Sequence, residues 1–189
     1  MGLDMYLMKM PRYKSATAKD VTNVENYLDW LEEKNKPESQ YKDCTLKQWC
    51  GIDESELPPP DVIDFYKRHA TYNNKFGWYD ARQEVGYWRK ANHIHEWFVQ
   101  HVQDGEDDCE YHNEVTPEDL EALMMLCGMV LEKPHLASQL LPTQCGFFFG
   151  SEDYEKWYFD DLKKTIEIIQ NVFLNTDFET EMVYYRSSW

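Results

Sequence analysis

Leu3-Asp4-Met5-Tyr6-Leu7-Met8-Lys9 opens the chain in alternation, with Leu3, Met5 and Leu7 on one side and Asp4, Tyr6 and Met8 on the other. A period of two belongs to a half-buried strand. Residues 178–186 alternate more loosely and read as a second strand at the far end. Strands at both termini can pair with each other, and most of the chain between them carries a helical period. The expectation is therefore an α+β fold. It takes the form of a single domain over residues 1–189, with about four substantial helices packed on a small antiparallel sheet that includes both chain termini.

Working inward, Thr17 predicts an N-cap, and Val21, Val24, Leu28 and Leu31 give a helical stripe to about Lys34, ended by Pro37. A short helix is expected over residues 45–50, stopping at Gly51. Pro58, Pro59 and Pro60 form a rigid break before a helix over residues 61–69. Residues 70–84 read as a loop or irregular hairpin, and residues 85–103 as one long helix closed by Gly105. A strand is expected over residues 109–115. Thr116-Pro117-Glu118-Asp119 is the clearest helix start, with a cap, proline at the first position and acids in the first turn. Leu120, Leu123, Met124, Cys127 and Leu131 line one face of that helix. Gly146-Phe147-Phe148-Phe149-Gly150 reads as a buried strand. Ser151 reads as the cap of a last helix carrying Tyr154, Tyr158, Leu162, Thr165, Ile166, Ile169 and Phe173.

Charge narrows the range of partners. The 189 residues hold 35 acids and 19 Lys plus Arg, a net of −16. Residues 104–189 alone carry a net of −14, and residues 104–121 hold 9 acids and no base. Phosphate contacts need clustered bases, so direct nucleic-acid binding and an anionic membrane surface are both disfavoured. A basic protein partner is allowed, since the same field speeds encounter with a positive patch, while solvated surface charge alone accounts for the excess equally simply. No apolar run approaches the roughly 18 residues of a membrane span. Met1-Gly2-Leu3-Asp4 has no basic n-region, which predicts no secretory signal. Five cysteines without a C-x-x-C pair then predict reduced thiols and a cytoplasmic setting.

On a helical wheel for residues 85–103, Tyr87, Ala91, Ile94 and Phe98 form the core stripe, with Trp88, Asn92 and His95 beside it. Arg89, His93, Glu96 and Gln100 face the other way. An imidazole, a carboxamide and an indole on one side suit a polar planar ligand, and Arg89 with Lys90 suits an anion. His93 and His95 are two apart and do not share a helical face, so no metal site is expected there. The acidic loop 104–108 lacks an EF-hand pattern. Gly150-Ser151 offers free N–H groups to a phosphate, but Glu152 and Asp153 follow at once, so the capping role of Ser151 is preferred. Cys109 and His112 would point to opposite faces of an extended segment. No nucleophile elbow, Walker loop or dinucleotide fingerprint is present, and nothing specifies a cofactor.

Several stretches together resemble a family of small proteins found in bacteria and their phages. They are Met1-Gly2-Leu3-Asp4-Met5-Tyr6-Leu7, then Glu84–Asn92 with Ile94-His95 and Trp97-Phe98-Val99, then Asp107-Asp108-Cys109, Gly146–Ser151 and the final Ser187-Ser188-Trp189. The motifs are specific to that family and not to a chemistry. The resemblance implies a cytoplasmic protein of a phage or mobile element, and it brings no catalytic residue. It adds weight to Trp88, Arg89, Asn92 and His95, and implies Asp4, Asp107, Asp108, Thr143 and Tyr154 as co-lining residues.

Three functional expectations follow. The first is a pocket built on Trp88, Arg89, Asn92 and His95 for a small polar, nucleotide-like ligand, used to counter a host defence signal. The second is an acidic inhibitor that imitates nucleic-acid charge toward a basic host protein. The third is a small metal-dependent hydrolase with His95 as base and Asp107 or Asp108 on the metal.

Overall fold

The computed structural model describes residues 2–12, 18–57, 60–69, 82–109, 113–146 and 149–189. They divide into two compact units, Met1–Met10 with Arg82–Trp189, and Pro11–Ala81. Among the described residues no helix is long and apolar enough to cross a membrane.

The first unit holds a three-stranded antiparallel sheet. β1 (Asp4–Pro11) lies between β2 (Gln83–Arg89) and β3 (Glu181–Ser188), so both ends of the chain enter the sheet as their alternation predicts. β1 and β2 pair Met5 with Trp88 and Leu7 with Gly86, and the register then slips at Met8. Leu3, Met5, Leu7, Trp88, Val183 and Tyr185 belong to one buried core. Four helices belong to this unit: α4 (Asn92–His101), α5 (Pro117–Glu132), the short α6 (Ala137–Leu140) and α7 (Lys156–Asn175). α7 packs on β2 and on α5. Gly86 permits the first contact, because a Cβ there would stand 2.5 Å from Ile168 Cγ2. The start of α5 forms as expected: the Thr116 hydroxyl accepts from Asp119 N, and the Asp119 carboxylate accepts from Thr116 N.

The second unit contains α1 (Ala18–Asn35), α2 (Leu46–Cys50) and α3 (Pro60–His69). Val24 and Leu28 of α1 are buried. Thr45 caps α2 in a reciprocal box with Gln48, and Gly51 ends it at φ 78°. Thr17, Pro58, Pro59 and residues 70–81 lie outside the described residues.

The structure corrects several expectations. Residues 85–103 do not form one helix; they form β2, a turn at Lys90 and then α4. Gly86, Tyr87, Trp88 and Arg89 pair with Leu7, Tyr6, Met5 and Asp4 of β1, and this pairing outweighs the helical period. Lys90 at φ 60° breaks the two elements apart. Gly105 does close the region: at φ 82° its N–H donates to Val99 O. The strand expected over residues 109–115 shrinks to one bridge between Glu114 and Tyr184, with residues 110–112 outside the described set. The run 146–150 is irregular where described, and residues 147 and 148 lie outside it. α7 starts at Lys156 rather than at Ser151, whose hydroxyl instead forms a tight turn with Asp153.

Candidate functional site

A cleft of about 280 Å³ opens in the first unit where β2 gives way to α4 and where α7 begins. Its first wall is the β2–α4 junction. Arg89 is exposed at the end of the strand. Lys90 is held in the left-handed region while its N–H donates to Leu3 O at 2.8 Å. Gly150 packs against that turn, itself at φ 98°; a Cβ there would lie 3.1 Å from Lys90 O. Gly150 adopts its positive φ at no cost, whereas the left-handed Lys90 is locally costly, and such strain concentrates at functional sites.

Asn92 fixes the loop that carries Gly150. Its Nδ2 donates to Phe149 O at 3.2 Å and Ser151 O at 2.9 Å, and its Oδ1 accepts from Gln144 N at 3.1 Å. All its polar capacity toward that loop is used by backbone, so Asn92 shapes the cleft rather than lining it. Ser151 and Asp153 complete this side.

The opposite wall is the first turns of α7. No side chain caps this helix, so its first N–H groups carry the positive end of the helix dipole. Trp157 is 75% exposed on the rim, with Lys156 Nζ 5.6 Å from its ring centre. Tyr158 is buried and donates to Leu141 O at 2.8 Å. Asp161 lies one turn further along. Burial, opposed by the nearby Lys164, pushes its carboxyl up to about 6.

His93 forms part of the cleft lining and packs on Tyr158, ring centres 4.2 Å apart. It was expected on the outward face of a long helix; instead it is 3% exposed. α4 is enclosed on nearly all sides, so the wheel has no solvent face at this position. Burial brings the imidazole down to about 3, and it is neutral at physiological pH. Its buried Nε2 has no hydrogen-bond partner.

The remaining predicted residues lie elsewhere. Trp88 is wholly buried, and its indole donates to Thr165 Oγ1 at 2.8 Å. His95 is 1% exposed in a second polar chain: its Nδ1 and the Tyr185 hydroxyl share a hydrogen bond at 2.8 Å, and its Nε2 stands 3.2 Å from Asp107 Oδ2. That second contact lies off the line of a good hydrogen bond. Burial lowers the His95 pKa against the raising pull of Asp107. Asp107 also accepts from Trp189 Nε1 at 3.0 Å. Phe98 stacks on Tyr185 and Phe149 meets His95 edge-on, so the chain serves to anchor the C-terminal strand. Asp108 is exposed on its loop. Thr143 and Tyr154 hydrogen-bond each other, and Tyr154 packs on Tyr158 behind the cleft. Asp4 accepts from the Tyr87 hydroxyl. Among the described residues no group of three His, Cys, Asp or Glu stands together as metal ligands. Of the predicted set, therefore, only Arg89 lines the cleft, and Asn92 builds it.

Comparisons of the chain with protein-family models, with curated proteins and with solved structures give no match.

Proposed function

We propose that this chain is a binding protein for a small, polar, nucleotide-like ligand held in the cleft between the β2–α4 junction and the start of α7. The observation that carries this reading is the meeting there of Arg89 and Lys90 with an exposed indole and a buried, unpartnered imidazole. Arg and Lys meet an anionic group, Trp157 offers a stacking face, and the neutral His93 ring forms part of the lining. Convergent polar groups beside aromatic faces in one concavity are what a ligand site requires, and here Arg89, Lys90 and Asp161 meet Trp157 and Tyr158. Held without turnover, a signalling nucleotide would be sequestered, which suits the phage resemblance.

Thermal unfolding of the full chain against mono-, di- and cyclic nucleotides, nicotinamide cofactors and divalent metals tests this. A ligand at one hundred times its Kd adds about 2.7 kcal/mol, a shift of several degrees. Recovery of the ligand unchanged separates binding from catalysis. A flat result across the panel, or a shift that Arg89→Ala leaves intact, refutes the reading.

A second reading rests on the outer face of α5. Met125 is 62% exposed and Met129 40%, Glu118, Glu121 and Glu132 are exposed around them, and the helix carries no base. That surface suits a basic protein partner. Its complex should weaken steeply with salt; one unchanged in molar salt would count against it.

A further inference from the structure

We infer that the cleft takes a nucleoside monophosphate whose base carries an exocyclic amine, with the phosphate at Arg89 and Lys90 and the base between Trp157 and Asp161. This rests on the ligand-binding reading above and adds to it the identity of the ligand's two ends. The argument begins from the charges. Two cations, Arg89 and Lys90, sit at the β2–α4 junction with Asp153 on the same wall, and Asp161 stands on the opposite wall in α7. A bare anion gains from the cations and gains nothing from Asp161. A ligand with an anionic end and a donor-bearing end satisfies both.

The donor end is a flat ring. Trp157 leaves three quarters of its surface in solvent at the rim of the cleft, and a base laid on such an indole removes apolar area from water on both faces. Asp161 stands one turn beyond Trp157 on the same helix, at i+4, and therefore on the same side. A carboxylate at the edge of a stacked base accepts from an exocyclic amine and repels a carbonyl in its place. His93, packed on Tyr158, forms part of the lining between these two ends. The volume, about 280 Å³, is at the lower end for ligand cavities and suits one nucleotide rather than a dinucleotide.

Calorimetric titration of the full chain with CMP, UMP, AMP, GMP, cytidine and inorganic phosphate provides the test. CMP, AMP and GMP should bind about ten-fold tighter than UMP, and CMP about ten-fold tighter than cytidine or phosphate alone. Asp161→Asn, which replaces an acceptor with a side chain that can also donate, should narrow or invert the CMP-to-UMP ratio. Lys90→Asn retains a residue tolerant of the left-handed backbone; it should weaken CMP about ten-fold and leave cytidine unchanged. Equal affinity for CMP and UMP, or an equal loss on all probes in Asp161→Asn, overturns the amine assignment while leaving a nucleotide-binding cleft. Cytidine binding as tightly as CMP overturns the phosphate end. Absence of binding by every probe overturns both this inference and the reading it rests on.

Discussion

Replacing His93 with Phe should remove a large part of the acid sensitivity of the first unit. The imidazole is held neutral in the fold down to about pH 3, against an ordinary value of 6.5 in the unfolded chain. A histidine whose folded pKa is depressed contributes no penalty above 6.5. As pH falls below 6.5 the unfolded chain takes up a proton that the fold refuses, so stability is lost progressively until about pH 3. Between pH 6.5 and 5 the loss is about one and a half pH units at about 1.4 kcal/mol each, or about 2 kcal/mol. Other groups titrate over the same range. Asp161 in the same cleft acts with the opposite sign, since its raised carboxyl relieves a burial cost as it protonates. Tyr158, packed on the His93 ring, stays protonated, because burial pushes its hydroxyl above the ordinary value. Comparing wild type with His93→Phe cancels these shared terms and keeps a ring against Tyr158. Urea unfolding followed by tryptophan fluorescence at pH 7 and pH 5 should show the wild type losing about 2 kcal/mol more than the variant. Equal losses in the two proteins would refute the claim that burial holds His93 neutral.

Three further outcomes follow from the packing. Gly86→Ala places a Cβ 2.5 Å from Ile168 Cγ2; it should cost about 1–3 kcal/mol, read as a lower urea midpoint. Asn92→Ala removes three hydrogen bonds to the 144–151 loop. It should cost about 2–4 kcal/mol and reduce nucleotide affinity in calorimetry, because Gly150 and Ser151 lose their anchor. Thr116→Ala opens the capping box of α5 and should lower stability by about 1 kcal/mol, without changing ligand affinity.

The terminal strands and α5 were legible because each depends on local signals. Alternation at residues 3–9 needs only a face to bury, and Thr116-Pro117-Glu118-Asp119 carries its own cap. Residues 85–103 were not legible, because Tyr87, Trp88, Ala91, Ile94 and Phe98 satisfy a helical period while Val85, Tyr87 and Arg89 also satisfy a strand period. What decides between them is β1, about eighty residues away in sequence, whose Met5 and Leu7 pair with Trp88 and Gly86. Once β2 forms, its last residue and α4 cannot be continuous helix, and the chain must turn at Lys90.

That turn explains why the site was half visible. Arg89 and Lys90 stand out in an acidic stretch, and Asn92 stands out as a polar group on an apolar face. Their geometry follows from the turn, which puts the two cations on one side of a cleft and spends Asn92 on backbone. The other wall comes from α7, whose start the sequence placed at Ser151; moving it to Lys156 brings Trp157, Tyr158 and Asp161 to the cleft. A left-handed Lys90 against a left-handed Gly150 is difficult to assign from residue types, since only the glycine announces itself. The left-handed Lys90 is also costly to keep in a fold that needed only a connection between a strand and a helix, which is the structural reason to look for the ligand at this turn.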